Sequence, residues 1–235
     1  MIDEAMIFAA GFGKRMLPLT KKIPKPLIKI NEKSILSYNI EQLIEANFKK
    51  IIVNAHHHYE QIIADVQIYK PIVKVIIEKE ILETGGGLLN AMNKNFFGIN
   101  DSILLMNGDI FWTNNVYKSL DKIRSIWDSN EMDQLLCLKK KENFFGYEGL
   151  GDFDKVSPNQ VTSKVIKNNN LQYAFTGLQI VKKEIVKNTK KRVFSIRDQI
   201  LESLDKEKLF GYVDKNQWFH IGTVENLKRL KELLE

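Results

Sequence analysis

Three short segments combine glycine or proline with charge in a pattern suited to chemistry on phosphates. In Ala9-Ala10-Gly11-Phe12-Gly13-Lys14-Arg15, two glycines let the main chain approach a ligand closely, and Lys14 and Arg15 follow at once to meet negative charge. Pro24-Lys25-Pro26 fixes an extended stretch that aims another cation, Lys25, at the same place. Asn107-Gly108-Asp109 puts a carboxylate in a tight turn, suited either to holding a hard divalent ion on phosphate oxygens or to capping the next helix. A fourth segment, Glu83-Thr84-Gly85-Gly86-Gly87, carries three consecutive glycines. These are costly to order and point to a close backbone approach to a flat base or ribose. His56-His57-His58 has metal-binding residue types, but adjacent residues on a strand or helix do not face one ion. Solvated or base-stacking roles are the better reading.

Familiar phosphate loops do not fit the first segment. A dinucleotide fingerprint needs a third glycine where Met16 and Leu17 stand, and an acid at the end of the second strand, where Asn54 stands. A P-loop needs Ser or Thr after Gly-Lys, and Arg15 is there instead. Two readings stay open: a loop whose backbone N–H groups and Arg15 grip a triphosphate, and a structural turn.

The elements that must position these segments follow from periodicity. Apolar runs at 5–10, 50–54, 73–77, 102–106 and 134–138 read as strands. Helical spacing over 35–46, with Ser34 as N-cap, and over 59–66, 87–92 and 116–127 supplies the connections. Alternating strands and helices, with strands apolar on both faces, predict an α/β fold with a doubly wound, mainly parallel sheet. In such sheets the ligand lies beyond the carboxyl ends of the strands, where these loops fall. Residues 144–181 carry glycines, asparagines and short alternating runs, which predict a small antiparallel insertion. Strands at 209–213 and 217–221 and helices at 195–204 and 223–234 complete the chain. No repeat or linker interrupts it, so a single domain over 1–235 is expected.

Composition excludes several classes. With 44% hydrophobic and 27% charged residues the chain is too apolar to be disordered. Cys137 is the only cysteine, so no intramolecular disulfide can form and a reducing cytoplasm is the expected location. No apolar run reaches the roughly 18–20 residues that span a bilayer, and the acidic start does not read as a signal peptide. The net charge of +6 is scattered in short lysine runs without zinc-finger spacing or an RNA-binding motif. It reads as a solvated face and suits small phosphorylated anions better than nucleic acid.

Residues 9–20 and 24–27 resemble the signature of the sugar-phosphate nucleotidyltransferase family, Ala-Ala-Gly-x-Gly-x-Arg-(Met/Leu)-x-Pro-Leu-Thr followed by Pro-Lys-Pro-Leu. Leu82-Glu83-Thr84-Gly85-Gly86-Gly87, Asn107-Gly108-Asp109, Gly151-Asp152-Phe153, Thr176-Gly177 and Trp218-x-x-Ile221-Gly222-Thr223 extend the resemblance over residues 4–234. It is strongest toward short bacterial members of the N-acetylmuramate-1-phosphate uridylyltransferase and mannose-1-phosphate guanylyltransferase type. The resemblance implies a Rossmann-like fold of the nucleotide-diphospho-sugar transferase type, with a nucleotide-binding half (1–140) and a sugar-phosphate-binding half (141–235). It implies joining a sugar 1-phosphate to a nucleoside triphosphate, releasing pyrophosphate.

Carried over by residue, Ala10, Gly11, Gly13 and Lys14 would wrap the triphosphate, and Arg15 would neutralise the leaving pyrophosphate. Lys25 would steady the α-phosphate and the incoming sugar phosphate, and Asp109 would ligate Mg²⁺. Asn54, Glu78, Thr84, Gly85, Gly86, Gly87 and Asn107 would lie on the nucleotide side. Gly151, Asp152, Thr176 and Gly177 would line the sugar side. No catalytic triad is needed, because a sugar phosphate is already a nucleophile at neutral pH. A glycosyltransferase is disfavoured, since Asp109 is followed by Ile110-Phe111 and makes no Asp-x-Asp motif.

His220 stands where the family usually places a second metal-binding aspartate. Three readings follow: a shift toward Mn²⁺ or another borderline ion, sufficiency of Asp109 with phosphates and water, or a weakened site. UTP and N-acetylmuramate 1-phosphate are the favoured substrates. The alternatives are mannose-1-phosphate guanylyl transfer and a non-catalytic nucleotide-sugar-binding or regulatory subunit. A monomer or small homo-oligomer, without nucleic-acid or membrane partners, is expected.

Overall fold

Apolar and amphipathic runs alternate along a computed structural model that describes residues 2–113, 118–157, 162–167 and 171–234. In chain order the elements are β1 (Glu4–Phe8), β2 (Lys29–Ile30), β3 (Lys33–Ser34), α1 (Ile35–Glu45), β4 (Lys50–Ala55), α2 (Tyr59–Val66), β5 (Val73–Ile77), α3 (Glu83–Asn93), β6 (Ser102–Asn107) and β7 (Ile110–Thr113). Then come α4 (Ser119–Ile126), β8 (Gln134–Lys140), β9 (Phe144–Phe145), β10 (Asp154–Lys155), β11 (Thr162–Ile166), β12 (Tyr173–Lys182), α5 (Glu184–Lys187), α6 (Ile196–Asp205), β13 (Leu209–Val213), β14 (Gln217–His220) and α7 (Val224–Leu234). The expected cap of α1 is present: Ser37 N–H donates to Ser34 Oγ at 2.9 Å.

The main sheet has the order β10-β11-β13-β8-β12-β6-β1-β4-β5. β6, β1, β4 and β5 pair in parallel, as do β13 and β8. β12 runs antiparallel to both β6 and β8, and β11 to both β13 and β10. All strands but β11 and β12 therefore share one direction, and β1, β4, β6 and β8 end at one rim. Strand alternation feeds two cores. Ile7, Val53, Leu104 and Met106 pack on one face with Leu36, Ile40 and Leu43 of α1. Met6, Ile52, Ile103 and Leu105 pack on the other with Leu88 and Ala91 of α3 and Ile200 of α6.

Several boundaries differ from the sequence reading. Among the described residues of 144–181, β9 joins a separate small sheet and β10 and β11 form one edge of the main sheet. β12, ten residues long, lies in the middle of the main sheet. Its partners, β6 and β8, are distant in sequence, so local alternation alone does not reveal its place. α3 begins at Glu83 rather than residue 87, so Gly85, Gly86 and Gly87 lie in its first turns and not in a loop. α4 begins at Ser119; residues 116–117 of the expected helix lie outside the described residues.

A second sheet, β7-β14-β9, was not expected. Its Trp112 and Trp218 pair across β7 and β14 and stack with centroids 4.7 Å apart. The same pairing sets His220 opposite Ile110, one residue after Asp109. Among the described residues no helix is long and apolar enough to cross a membrane.

Candidate active site

The rim where β1, β4 and β6 end holds a cleft of about 590 Å³. Its floor is built by hydrogen bonds between those strand ends. Ala9 N–H donates to Asn54 Oδ1 at 2.8 Å, and Gly108 N–H donates to the Phe8 carbonyl at 2.9 Å. A Cβ on Gly108 would stand 2.7 Å from that carbonyl, so the turn carrying Asp109 sits this close to β1 only with glycine there.

The glycine turn is anchored from behind. Gly13 takes a left-handed φ of 62°, its carbonyl accepting Met16 N–H and the Thr20 hydroxyl, both at 2.9 Å. Met16 is buried in a third apolar cluster with Ile28, Phe219 and Ile221. That anchor leaves Lys14 and Arg15 exposed at the cleft. Gly11 differs from Gly13: a Cβ there would meet nothing within 4 Å and would project into open space.

Lys25, held between Pro24 and Pro26, is buried, and its Nζ reaches Asp109 Oδ2 at 2.7 Å. The Asp109 side chain is 33% exposed. Burial pushes its carboxyl pKa up, but the charge and hydrogen bond of Lys25, helped by His220, outweigh this and hold it below the ordinary value. The group is therefore ionised at neutral pH. His220 sits at the end of β14, edge-on to Phe144 and Tyr147, with its backbone carbonyl accepting from the Asn226 amide. Burial first, then Lys25 and Arg15, depress its imidazole pKa, and Asp109 only partly opposes them. It is neutral at pH 7 and able to act as a nitrogen ligand.

Ala10, Gly11, Gly13, Lys14 and Arg15 line the cleft from the first loop. Lys25, Asn54, Thr84, Asn107 and Asp109 line it from the others. Glu78 lies behind this wall. It is buried, and accepts from Asn54 Nδ2 at 2.8 Å and from Leu82 N–H at 3.3 Å. Burial raises its carboxyl pKa, with the Asn54 hydrogen bond opposing.

The three glycines of α3 are packed against protein. A Cβ would meet the Phe194 ring at 2.3 Å from Gly85, the Arg192 carbonyl at 2.4 Å from Gly86, and Asn54 and Glu78 at 2.9 Å from Gly87. On the expected sugar side, Gly151 and Gly177 both have positive φ, and a Cβ on Gly177 would stand 2.7 Å from Asn107 Nδ2. Asp152 accepts from Phe175 N–H at 2.9 Å, and Thr176 Oγ1 donates to the Cys137 carbonyl at 2.9 Å. Of the four, only Gly177 lies against Asn107, and none is among the residues lining the cleft.

His56 and His58 turn apart, to the carbonyls of Glu78 and Lys21. Ile81 and Ser195 also line the cleft. No local signal places Ser195 at the cleft, since the contact that brings this segment there joins Ile196 to Thr84, 112 residues away in sequence.

The nucleotidyl transferase profile matches residues 4–235. The chain belongs to the nucleotidyl transferase family. This nucleotidyl transferase is an enzyme of the sugar-phosphate nucleotidyltransferase class. It is 25% identical over 224 residues to the N-acetylmuramate alpha-1-phosphate uridylyltransferase of Caulobacter vibrioides, covering 93% of this chain and 91% of that one. It is 28% identical over 227 residues to the bifunctional protein GlmU of Methanococcus maripaludis, of which it spans about half, 51%. Its fold matches HddC from Yersinia pseudotuberculosis complexed with GMP-PN, with a TM-score of 0.73 at 23% identity and full coverage of both chains. Family members generally use a divalent metal ion. Among the described residues of this nucleotidyl transferase no three His, Cys, Asp or Glu side chains form a metal cage. An ion at Asp109 would draw most of its ligands from phosphate oxygens and water, a habit of Mg²⁺.

Proposed function

We propose that this enzyme transfers a nucleotidyl group from a nucleoside triphosphate, UTP in preference, to a sugar 1-phosphate such as N-acetylmuramate 1-phosphate. The observation that carries the proposal is the Lys25–Asp109 pair on the cleft floor beside the open face of Gly11. Among the described residues nothing would stand within 4 Å of a Cβ on Gly11, so a close ligand is what its missing side chain serves.

The chemistry joins two anions. A phosphate oxygen of the sugar 1-phosphate attacks the α-phosphorus in line, and the bond from that phosphorus to the bridging oxygen breaks, releasing pyrophosphate. Two unit charges about 4 Å apart repel by about 4 kcal/mol at an effective dielectric constant near 20. Cations must offset that repulsion in the transition state. Lys25 would hold the α-phosphate and the incoming phosphate, and exposed Arg15 and Lys14 the β- and γ-phosphates. Asp109 and His220 would hold Mg²⁺ or Mn²⁺, which when bound supplies further charge neutralisation. Near-complete coverage of a uridylyltransferase relative supports UTP and the N-acetylmuramate acceptor.

The test is pyrophosphate release from UTP, GTP, CTP and dTTP crossed with a panel of sugar 1-phosphates, with Mg²⁺ and with Mn²⁺. Turnover greatest with UTP and lost in Arg15→Ala is expected. No release across the panel would overturn the proposal.

A further inference from the structure

We propose that Ser195, carried to the cleft by a strap of residues 191–195, contacts the base and sets which nucleotide the site accepts. This rests on the nucleotide reading above and deepens it.

The strap is fastened to the start of α3. Phe194 N–H donates to the Leu82 carbonyl at 3.2 Å, and the Phe194 carbonyl accepts from both Gly85 and Gly86 N–H at 3.0 Å. Ile196 N–H donates to Thr84 Oγ1 at 2.9 Å. The Cβ clashes at Gly85 and Gly86 show why this docking needs glycine: the Phe194 ring and the Arg192 carbonyl occupy the space. The triple glycine thus joins two remote parts of the chain into one wall of the cleft. Ser195, half-buried, faces the cleft beside Ile81, Glu83 and Thr84.

This wall carries hydrogen-bonding groups that face the cleft. Ser195 Oγ accepts from Arg197 N–H at 3.2 Å, and Thr84 Oγ1 accepts from Ile196 N–H. Each oxygen is tied to the main chain, so each hydroxyl proton remains to be donated to a ligand. Glu83 adds a carboxylate that can only accept. Used as donors, the two hydroxyls with the Glu83 acceptor complement a base edge with two carbonyl oxygens flanking a ring N–H, which is the edge of uracil. Guanine presents one carbonyl and two N–H groups, and cytosine an amino group at one end.

Ser195→Gly removes the hydroxyl while keeping a residue tolerated at a helix N-cap, and Ser195→Thr retains the hydroxyl. The measurements are kcat/KM by pyrophosphate release and binding calorimetry with UTP, CTP and GTP, plus melting temperature. The expectation for Ser195→Gly is about a ten-fold loss of kcat/KM with UTP, the value of one hydrogen bond. The UTP-to-GTP ratio should narrow by the same factor. Recovery in Ser195→Thr and unchanged melting in both variants complete the expectation. If the wild type binds UTP and Ser195→Gly leaves all base ratios unchanged, the role of Ser195 is overturned and the nucleotide reading stands. A wild type preferring GTP overturns the uracil match. Failure of the wild type to bind any triphosphate overturns both readings.

Discussion

Lys25 Nζ lies 2.7 Å from Asp109 Oδ2, joining residues 84 apart in the chain at the floor of the cleft. The pair keeps the carboxylate ionised and the lysine aimed before any substrate arrives. Asp109→Asn should lower pyrophosphate release by about 10²–10³-fold, the usual range for losing a transition-state electrostatic group. Its effect on stability should be about 1–2 kcal/mol, below the 3–5 kcal/mol of a fully buried pair, because the carboxylate is 33% exposed. Initial rates and urea melts check both. Near-wild-type turnover would remove Asp109 from the reaction.

Gly11 and Gly86 should respond oppositely to one added methyl group. Gly11→Ala places its Cβ in open space, so it should melt like wild type while its KM for triphosphate rises about ten-fold or more. Gly86→Ala drives a Cβ to 2.4 Å from the Arg192 backbone carbonyl and should cost about 1–3 kcal/mol of stability. Equal losses of stability in the two variants would contradict the distinction.

His220→Asp tests the imidazole beside Asp109. A carboxylate suits a hard ion better than a nitrogen does. The variant should therefore gain activity with Mg²⁺ relative to Mn²⁺, read as the ratio of initial rates with each ion. An unchanged ratio would place His220 outside the ion's surroundings.

Glu4 provides an acid-dependent term far from the cleft. Its buried carboxylate accepts from Gly98 N–H and pairs with Lys50 and Lys183. Burial pushes its pKa up, but these partners together hold it below the ordinary 4.5. A carboxyl depressed on folding stabilises fully above its unfolded value, and that contribution is lost as pH falls through the folded one. Below pH 4.5, urea midpoints should fall more steeply for wild type than for Glu4→Gln. Parallel curves would show that these contacts of Glu4 contribute nothing.

Local pattern suffices for the strands Val73–Ile77 and Leu209–Val213, the helix Tyr59–Val66 and the Ser34 cap, because each depends on periodicity or a contact three residues away. It also marks Gly11, Arg15, Lys25 and Asp109, whose residue types and spacing already imply phosphate chemistry. Long-range pairing puts β12 between β6 and β8, and through β7 and β14 sets His220 next to the Asp109 turn. Tertiary packing alone brings the 191–195 strap to the triple glycine and Ser195 to the cleft. The physical reason is range: local patterns report which face of an element is apolar. Which distant segment covers that face depends on packing and pairing across the whole chain.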